Sequence, residues 1–167
     1  MEVGRPKIKL IPTTADKLVE LLGWLILLTL WGWTFTHYSA LPGTIPTHFN
    51  AAGEADGFGS KASIIGLPVI ATLLFIGLTV LNRYPHIFNY PTSITQDNAL
   101  RQYTLATRML RYLKLVLVLV FGGIELMTIQ HATGKAAGLG VWFLPLTLVL
   151  VFIPLIYFVV KSVQANK

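Results

Sequence analysis

Four long apolar runs dominate the chain: Leu18 to Tyr38, Ser63 to Leu81, Tyr112 to Ile129 and Leu139 to Val160. A helix needs about 20 largely apolar residues to cross hydrocarbon. There the backbone must also satisfy its own hydrogen bonds, which leaves helices as the element for such runs. The expected fold is an all-α integral membrane protein, a four-transmembrane-helix bundle. Composition agrees, with 54% hydrophobic and 12% charged residues, where soluble domains carry about 25% charge. No repeat or low-complexity segment divides the sequence, so residues 1–167 read as a single membrane domain. Its spans lie at about 18–38, 63–81, 112–129 and 139–160, separated by a motif loop over 39–62 and a polar connection over 82–111.

The distribution of cations sets an expected orientation. Arg5, Lys7, Lys9 and Lys17 precede the first run, Arg83, Arg101, Arg108, Arg111 and Lys114 lie in or beside the middle connection, and Lys161 and Lys167 close the chain. Only Lys61 and Lys135 fall on the other side. The positive-inside rule then places both termini and the 82–111 connection in the cytoplasm, in a cell inner membrane, and the 39–62 loop outside it. The first run is longer than the roughly 7–15 apolar residues of a signal peptide, and bulky Tyr38 occupies a position that cleavage would reserve for a small residue, so it reads as a retained anchor. The net charge of +6 belongs to these flanks, where it meets anionic lipid, and not to a nucleic-acid surface. The basic face of Arg101, Arg108, Arg111 and Lys114 reads as solvated and lipid-facing, with docking of a cytoplasmic protein partner as the alternative.

Local signals place the helix ends. Thr13 or Thr14 is positioned to cap the first helix with Asp16 in its first turn. Within that helix Thr29, Gly32 and Thr36 form a small, polar stripe expected to face neighbouring helices. Pro85 and Pro91 should keep the start of the connection extended, and Ser93 with Gln96 matches a capping box opening a continuous helix of about 30 residues or more into the third span. Pro145 and Pro154 predict kinks in the fourth span.

Two polar features need an explanation beyond topology. Glu125 sits in the third span, about 9 Å below its outer end at 1.5 Å per residue. Its helical neighbours Gly122 and Thr128 point it into the bundle, where an ionisable group marks a paired or functional position. One reading has it fixing helix packing; another has it completing an outer cavity lined by loop residues. The second feature is the stretch LPGTIPTHFNAAGEADGFGSK, Leu41 to Lys61. Pro42 and Pro46 stiffen its start, while Gly53, Gly57 and Gly59 with Asn50 and Asp56 are turn chemistry. The loop should therefore fold as a hairpin-like cap over the helix ends, and with no cysteine in the chain its order must come from packing, hydrogen bonds or a bound ion.

His48, Glu54 and Asp56, with Asn50, offer one imidazole and several oxygens within nine residues, a mixture suited to a divalent metal if the loop curls. The spacing matches no zinc or calcium pattern, and the alternative is that Asp56 and Asn50 cap turns while His48 bonds the backbone. Nucleophile elbows and phosphate loops are absent from the sequence, which makes an enzyme the minority reading.

The stretch resembles the signature of a bacterial domain of unknown function found at the N-terminus of SdpI-type membrane proteins, an LP..IP.HFN..G..DG...K pattern. Leu41, Pro42, Ile45, Pro46, His48, Phe49, Asn50, Gly53, Asp56, Gly57 and Lys61 match it in register. FNYPTSITQDNALRQYTLATRMLRYLK is similar to the inner connection of short, four-span members. The resemblance implies immunity to a secreted peptide toxin, or signalling. The polar, turn-rich, cysteine-free motif over the helix ends makes His48, Asn50, Gly53, Glu54, Asp56 and Lys61, with Glu125, the candidate site for an extracytoplasmic peptide or small ligand. A small ion-coupled transporter, with Glu125 and Thr29, Thr36 or Thr128 as its polar path, and a metal-dependent membrane enzyme are the alternatives.

Overall fold

The computed structural model describes residues 5–165; Lys167, counted above among the flanking cations, lies outside them. Four helices are long and apolar enough to cross a membrane. Helix α1 covers Thr14–Tyr38. A two-stranded antiparallel sheet follows, β1 Thr44–Phe49 and β2 Ala55–Ser60. A 3₁₀ turn over Lys61–Ile65 leads into α2, Gly66–Leu81. Helix α3 covers Ala99–Ala132 and α4 Phe143–Gln164.

Helix α1 starts where its sequence directs. The Thr13 hydroxyl accepts from Asp16 N at 3.3 Å while Asp16 Oδ2 accepts from Thr13 N at 2.8 Å, a reciprocal capping box. The packing face of this helix differs from the expected one. Thr29, Gly32 and Thr36 are exposed, and the buried residues are Asp16, Gly23, Leu27, Leu30 and Thr34. The hydroxyls of Thr29 and Thr36 donate to Leu25 O and Gly32 O, both at 2.8 Å. A threonine satisfied by its own helix can face hydrocarbon without a partner helix, so the polar stripe did not mark the interface.

Helix α3 is one continuous element of 34 residues, as its lack of breakers predicts, but it does not open at a Ser93/Gln96 box. Thr95 N donates to Asn98 Oδ1 at 2.9 Å, Asn98 N donates to Thr95 Oγ1 at 3.3 Å, and the helix begins at Ala99. Asparagine is a better local hydrogen-bonding partner than glutamine at this range, because its shorter side chain returns to the nearby backbone. Upstream, the segment expected to be extended contains a 3₁₀ turn at Pro85–Ile87. Pro145 lies in the first turn of α4, where a missing N–H costs nothing, and Pro154 is the proline inside the helix.

Helix α3 packs against α1, α2 and α4. Leu27 and Leu30 of α1, Ala71 and Phe75 of α2 and Val118 of α3 form the central apolar cluster. Helix α4 is joined to α3 by polar contacts: Gln102 Nε2 donates to Ser162 O at 2.8 Å and Ser162 Oγ donates to Gln102 Oε1 at 2.5 Å. None of the most apolar window of α4 is buried, as suits a helix whose remaining surface meets lipid tails.

The fold is mostly helical but not all-α, because the motif loop supplies the sheet. β-branched and aromatic residues (Thr44, Ile45, Thr47, Phe49, Phe58) favour extended backbone there. Pairing runs from Thr44 opposite Ser60 to Phe49 opposite Ala55, with irregularities around His48. Pro46 has no N–H to give the ladder, and such breaks accompany bulges. Leu41, Ile45, Ile64 and Ile129 form a second apolar cluster that seats the hairpin on the end of α3.

Candidate functional site

The turn joining the two strands is built around Asn50. Its Oδ1 accepts from Ala52 N at 2.9 Å and Glu54 N at 3.0 Å, and its Nδ2 donates to Glu54 Oε2 at 2.9 Å. Gly53, at φ 79°, turns the chain so that its carbonyl accepts from Leu139 N at 2.8 Å. Glu54 bridges to Gly138. The hairpin tip is thus bonded through its backbone to the α3–α4 loop. A Cβ on Gly53 would sit 2.4 Å from Gly140 O, so the two loops approach more closely than any other residue allows.

His48 and Asp56 face each other across the strands. His48 Nδ1 donates to Asp56 Oδ1 at 2.5 Å, and the side chains keep 71% and 45% of their exposure. The pair presents one imidazole and one carboxylate to solvent. Lys61 is held elsewhere, with Nζ 5.0 Å from the centre of the Tyr38 ring and N donating to Gly43 O at 3.0 Å. The proposed metal ligands His48, Glu54 and Asp56 do not converge: Glu54 turns to Asn50, and among the described residues no group of three or more His, Cys, Asp or Glu is placed to hold a metal ion.

Beside the pair, β1, the start of α2, α3 and the α3–α4 loop enclose a cavity of about 370 Å³. Ile45, Phe49, Ile64, Leu67, Ile70 and Leu139 give it apolar walls, and His48 and Thr128 contribute polar groups. Phe49 and Phe58 flank His131 of α3, each ring centre 6.4 Å from the imidazole. A site of this kind takes an apolar group and orients it through a few polar contacts.

Glu125 is fully buried, as the helical spacing predicted. The Thr34 hydroxyl donates to its Oε1, and among the described residues Oε2 has no hydrogen-bond partner. It lies outside the walls of the hairpin cavity, to which Ile124 and Thr128 on either side of it contribute. Thr34 was not legible as its partner, because sequence spacing within α1 gives no information about α3. Thr29, Thr36 and Thr128 each donate to a carbonyl of their own helix.

At the opposite end of the bundle the structure holds charges that sequence reasoning assigned to solvent. Lys114 is 1% exposed; its Nζ donates to Glu20 Oε1 at 2.5 Å and Thr79 Oγ1 at 2.6 Å and lies 4.5 Å from the centre of the Phe75 ring. Asp16 receives Arg108 Nε at 3.2 Å and has Arg111 Nη1 at 3.6 Å. The face of Arg108, Arg111 and Lys114 is therefore turned toward α1. Asp16 and Glu20, one turn apart on α1, were the available signal, since they repeat at the helical spacing of Arg111 and Lys114.

Fold and site together define a multi-pass membrane protein with a hairpin cap. Residues 25–72, from within α1 through the hairpin into α2, match the domain of unknown function DUF1648. An uncharacterized protein of Archaeoglobus fulgidus is 34% identical over 135 residues, covering 72% of this chain and 73% of that protein. The chain belongs to the same family as that archaeal protein and carries the DUF1648 match over residues 25–72. No solved structure matches it.

Proposed function

We propose that this chain is an SdpI-like membrane protein whose hairpin end faces outward and recognises a peptide or small ligand in immunity or signalling. The observation that carries the reading is the cavity of about 370 Å³ at the hairpin, with apolar walls and with His48, the partner of solvent-facing Asp56, in its lining. An amphipathic peptide offers both an apolar side chain and polar groups to such a site. The orientation is supported by the cations gathered at the other end.

Cells expressing the parent chain are expected to survive a membrane-active peptide toxin better than cells without it. His48→Ala and Asp56→Ala should each lower that protection by about tenfold, the loss of one charge-assisted contact, in protein that still inserts and purifies. Unchanged protection in both variants counts against the reading. Sidedness is read in the same cells: the chain has no cysteine, so Ala52→Cys supplies one thiol for a membrane-impermeant maleimide.

A second reading, ion-coupled transport, is favoured by the unpartnered Oε2 of buried Glu125 and by Lys114 on the same face of α3, about 16 Å away at 1.5 Å per residue. Under it, Glu125→Gln abolishes proton flux in liposomes containing the purified protein. Flux equal to that of the parent removes this reading.

A further inference from the structure

The end of the bundle opposite the hairpin contains a second cavity, of about 550 Å³, between α1, the end of α2 and α3. Four cations border it, Lys17, Arg83, Arg111 and Lys114, against two carboxylates, Asp16 and Glu20. Both carboxylates are engaged: Glu20 by Lys114, and Asp16 by Arg108 and Arg111. Lys17 and Arg83 are exposed, and among the described residues neither has a carboxylate within 4.0 Å. They approach the cavity from α1 and from the turn that follows α2, so the surplus positive charge is a property of the tertiary fold. Asn82, beside Arg83, also lines the cavity.

Apolar surface adjoins these polar groups. Leu21 and Trp24 of α1 line the same cavity and are 54% and 38% exposed, at the level where the spans begin. The cavity thus offers cations for an anion, an amide side chain for a hydroxyl, and an apolar flank leading along α1 into the membrane. We infer that it binds a phosphate ester carrying a hydroxyl group, the chemistry of a glycerophosphate headgroup, with Lys17 and Arg83 taking the phosphate and Asn82 the hydroxyl. Arginine and lysine together suit a phosphate's several oxygens. The Leu21–Trp24 flank favours a membrane lipid over a soluble ester, since only the lipid has chains to lay along it. The site is separate from the hairpin cavity and from Glu125.

The test uses the full chain purified in detergent, with bound lipid counted by native mass spectrometry. Dioleoyl phosphatidylglycerol should be retained about tenfold more strongly than dioleoyl phosphatidylcholine, the worth of one or two charge-assisted contacts. Lys17→Gln with Arg83→Gln should bring it down to the phosphatidylcholine level. Both residues are exposed and outside the ion pairs, so unchanged circular dichroism and melting are expected. Arg101→Gln with Lys161→Gln removes the same charge away from the cavity and should leave retention unchanged. Equal losses in the two double variants, or none in the first, overturn the proposal. Asn82→Leu should erase a preference for phosphatidylglycerol over phosphatidic acid, and a preference that survives overturns the hydroxyl assignment. Glycerol 1-phosphate is the soluble arm. Failure to displace the lipid at millimolar concentration assigns the site to membrane lipid, and displacement that depends on Lys17 and Arg83 assigns it to the soluble ester.

Discussion

Glu20→Leu is expected to cost the bundle about 3 kcal/mol, the lower part of the range for breaking a buried ion pair by removing one partner. Lys114 is 1% exposed, and its buried amine would be left with Thr79 and the Phe75 face among its contacts. The lower part of the range applies because the Glu20 side chain retains 26% exposure, which lets water relieve some of the penalty. The double variant Glu20→Leu with Lys114→Leu removes both charges and should recover most of the loss, since apolar residues of similar volume replace buried pairs at little cost. Unfolding of the four proteins of this cycle in mixed micelles gives the coupling directly. If Glu20→Leu unfolds with the parent, the buried pair is not what joins this end of α1 to α3.

The second large effect belongs to the hairpin. Gly53→Ala should destabilise the protein by about 2–4 kcal/mol, the cost of forcing an ordinary residue into a left-handed conformation together with a backbone clash. The added Cβ would lie 2.4 Å from Gly140 O and 2.6 Å from Gly140 N. Neither atom belongs to a flexible side chain that could turn away, so the two loops must separate. The amide of Leu139, which donates to Gly53 O, should then exchange with solvent much faster. Gly43→Ala is the matched control, because nothing lies within 4 Å of its Cβ position and its φ is not positive. Equal stability of the two variants would mean that the tip of the hairpin does not depend on the α3–α4 loop.

These two contacts mark where sequence reasoning succeeded and where it stopped. The glycines and asparagine of residues 50–57 indicated a folded turn, because positive φ and side-chain-to-backbone bonds are local properties. The partner of that turn, the loop at 138–140, lies more than eighty residues away and carries no chemical label that selects it. Likewise the depth of Glu125 marked a polar position needing a partner, and burial followed from the period of α3. That the partner is Thr34, and not Thr29 or Thr36, depends on how α1 is rotated.

The apolar runs by themselves determined four membrane-length helices, since hydrocarbon leaves the backbone no other way to bond over such lengths. The lack of breakers between Gln96 and Gly122 indicated a long α3, and the glycines with Asn50 and Asp56 indicated a folded loop between the first two spans. Only the tertiary structure decided which face of each helix turns inward. Threonines bonded within their own helix and lysines with long apolar stems are compatible with either lipid or a protein interior. Their placement was settled by the packing of Leu27, Leu30, Phe75 and Val118, which turned Lys114 toward Glu20 and Glu125 toward Thr34.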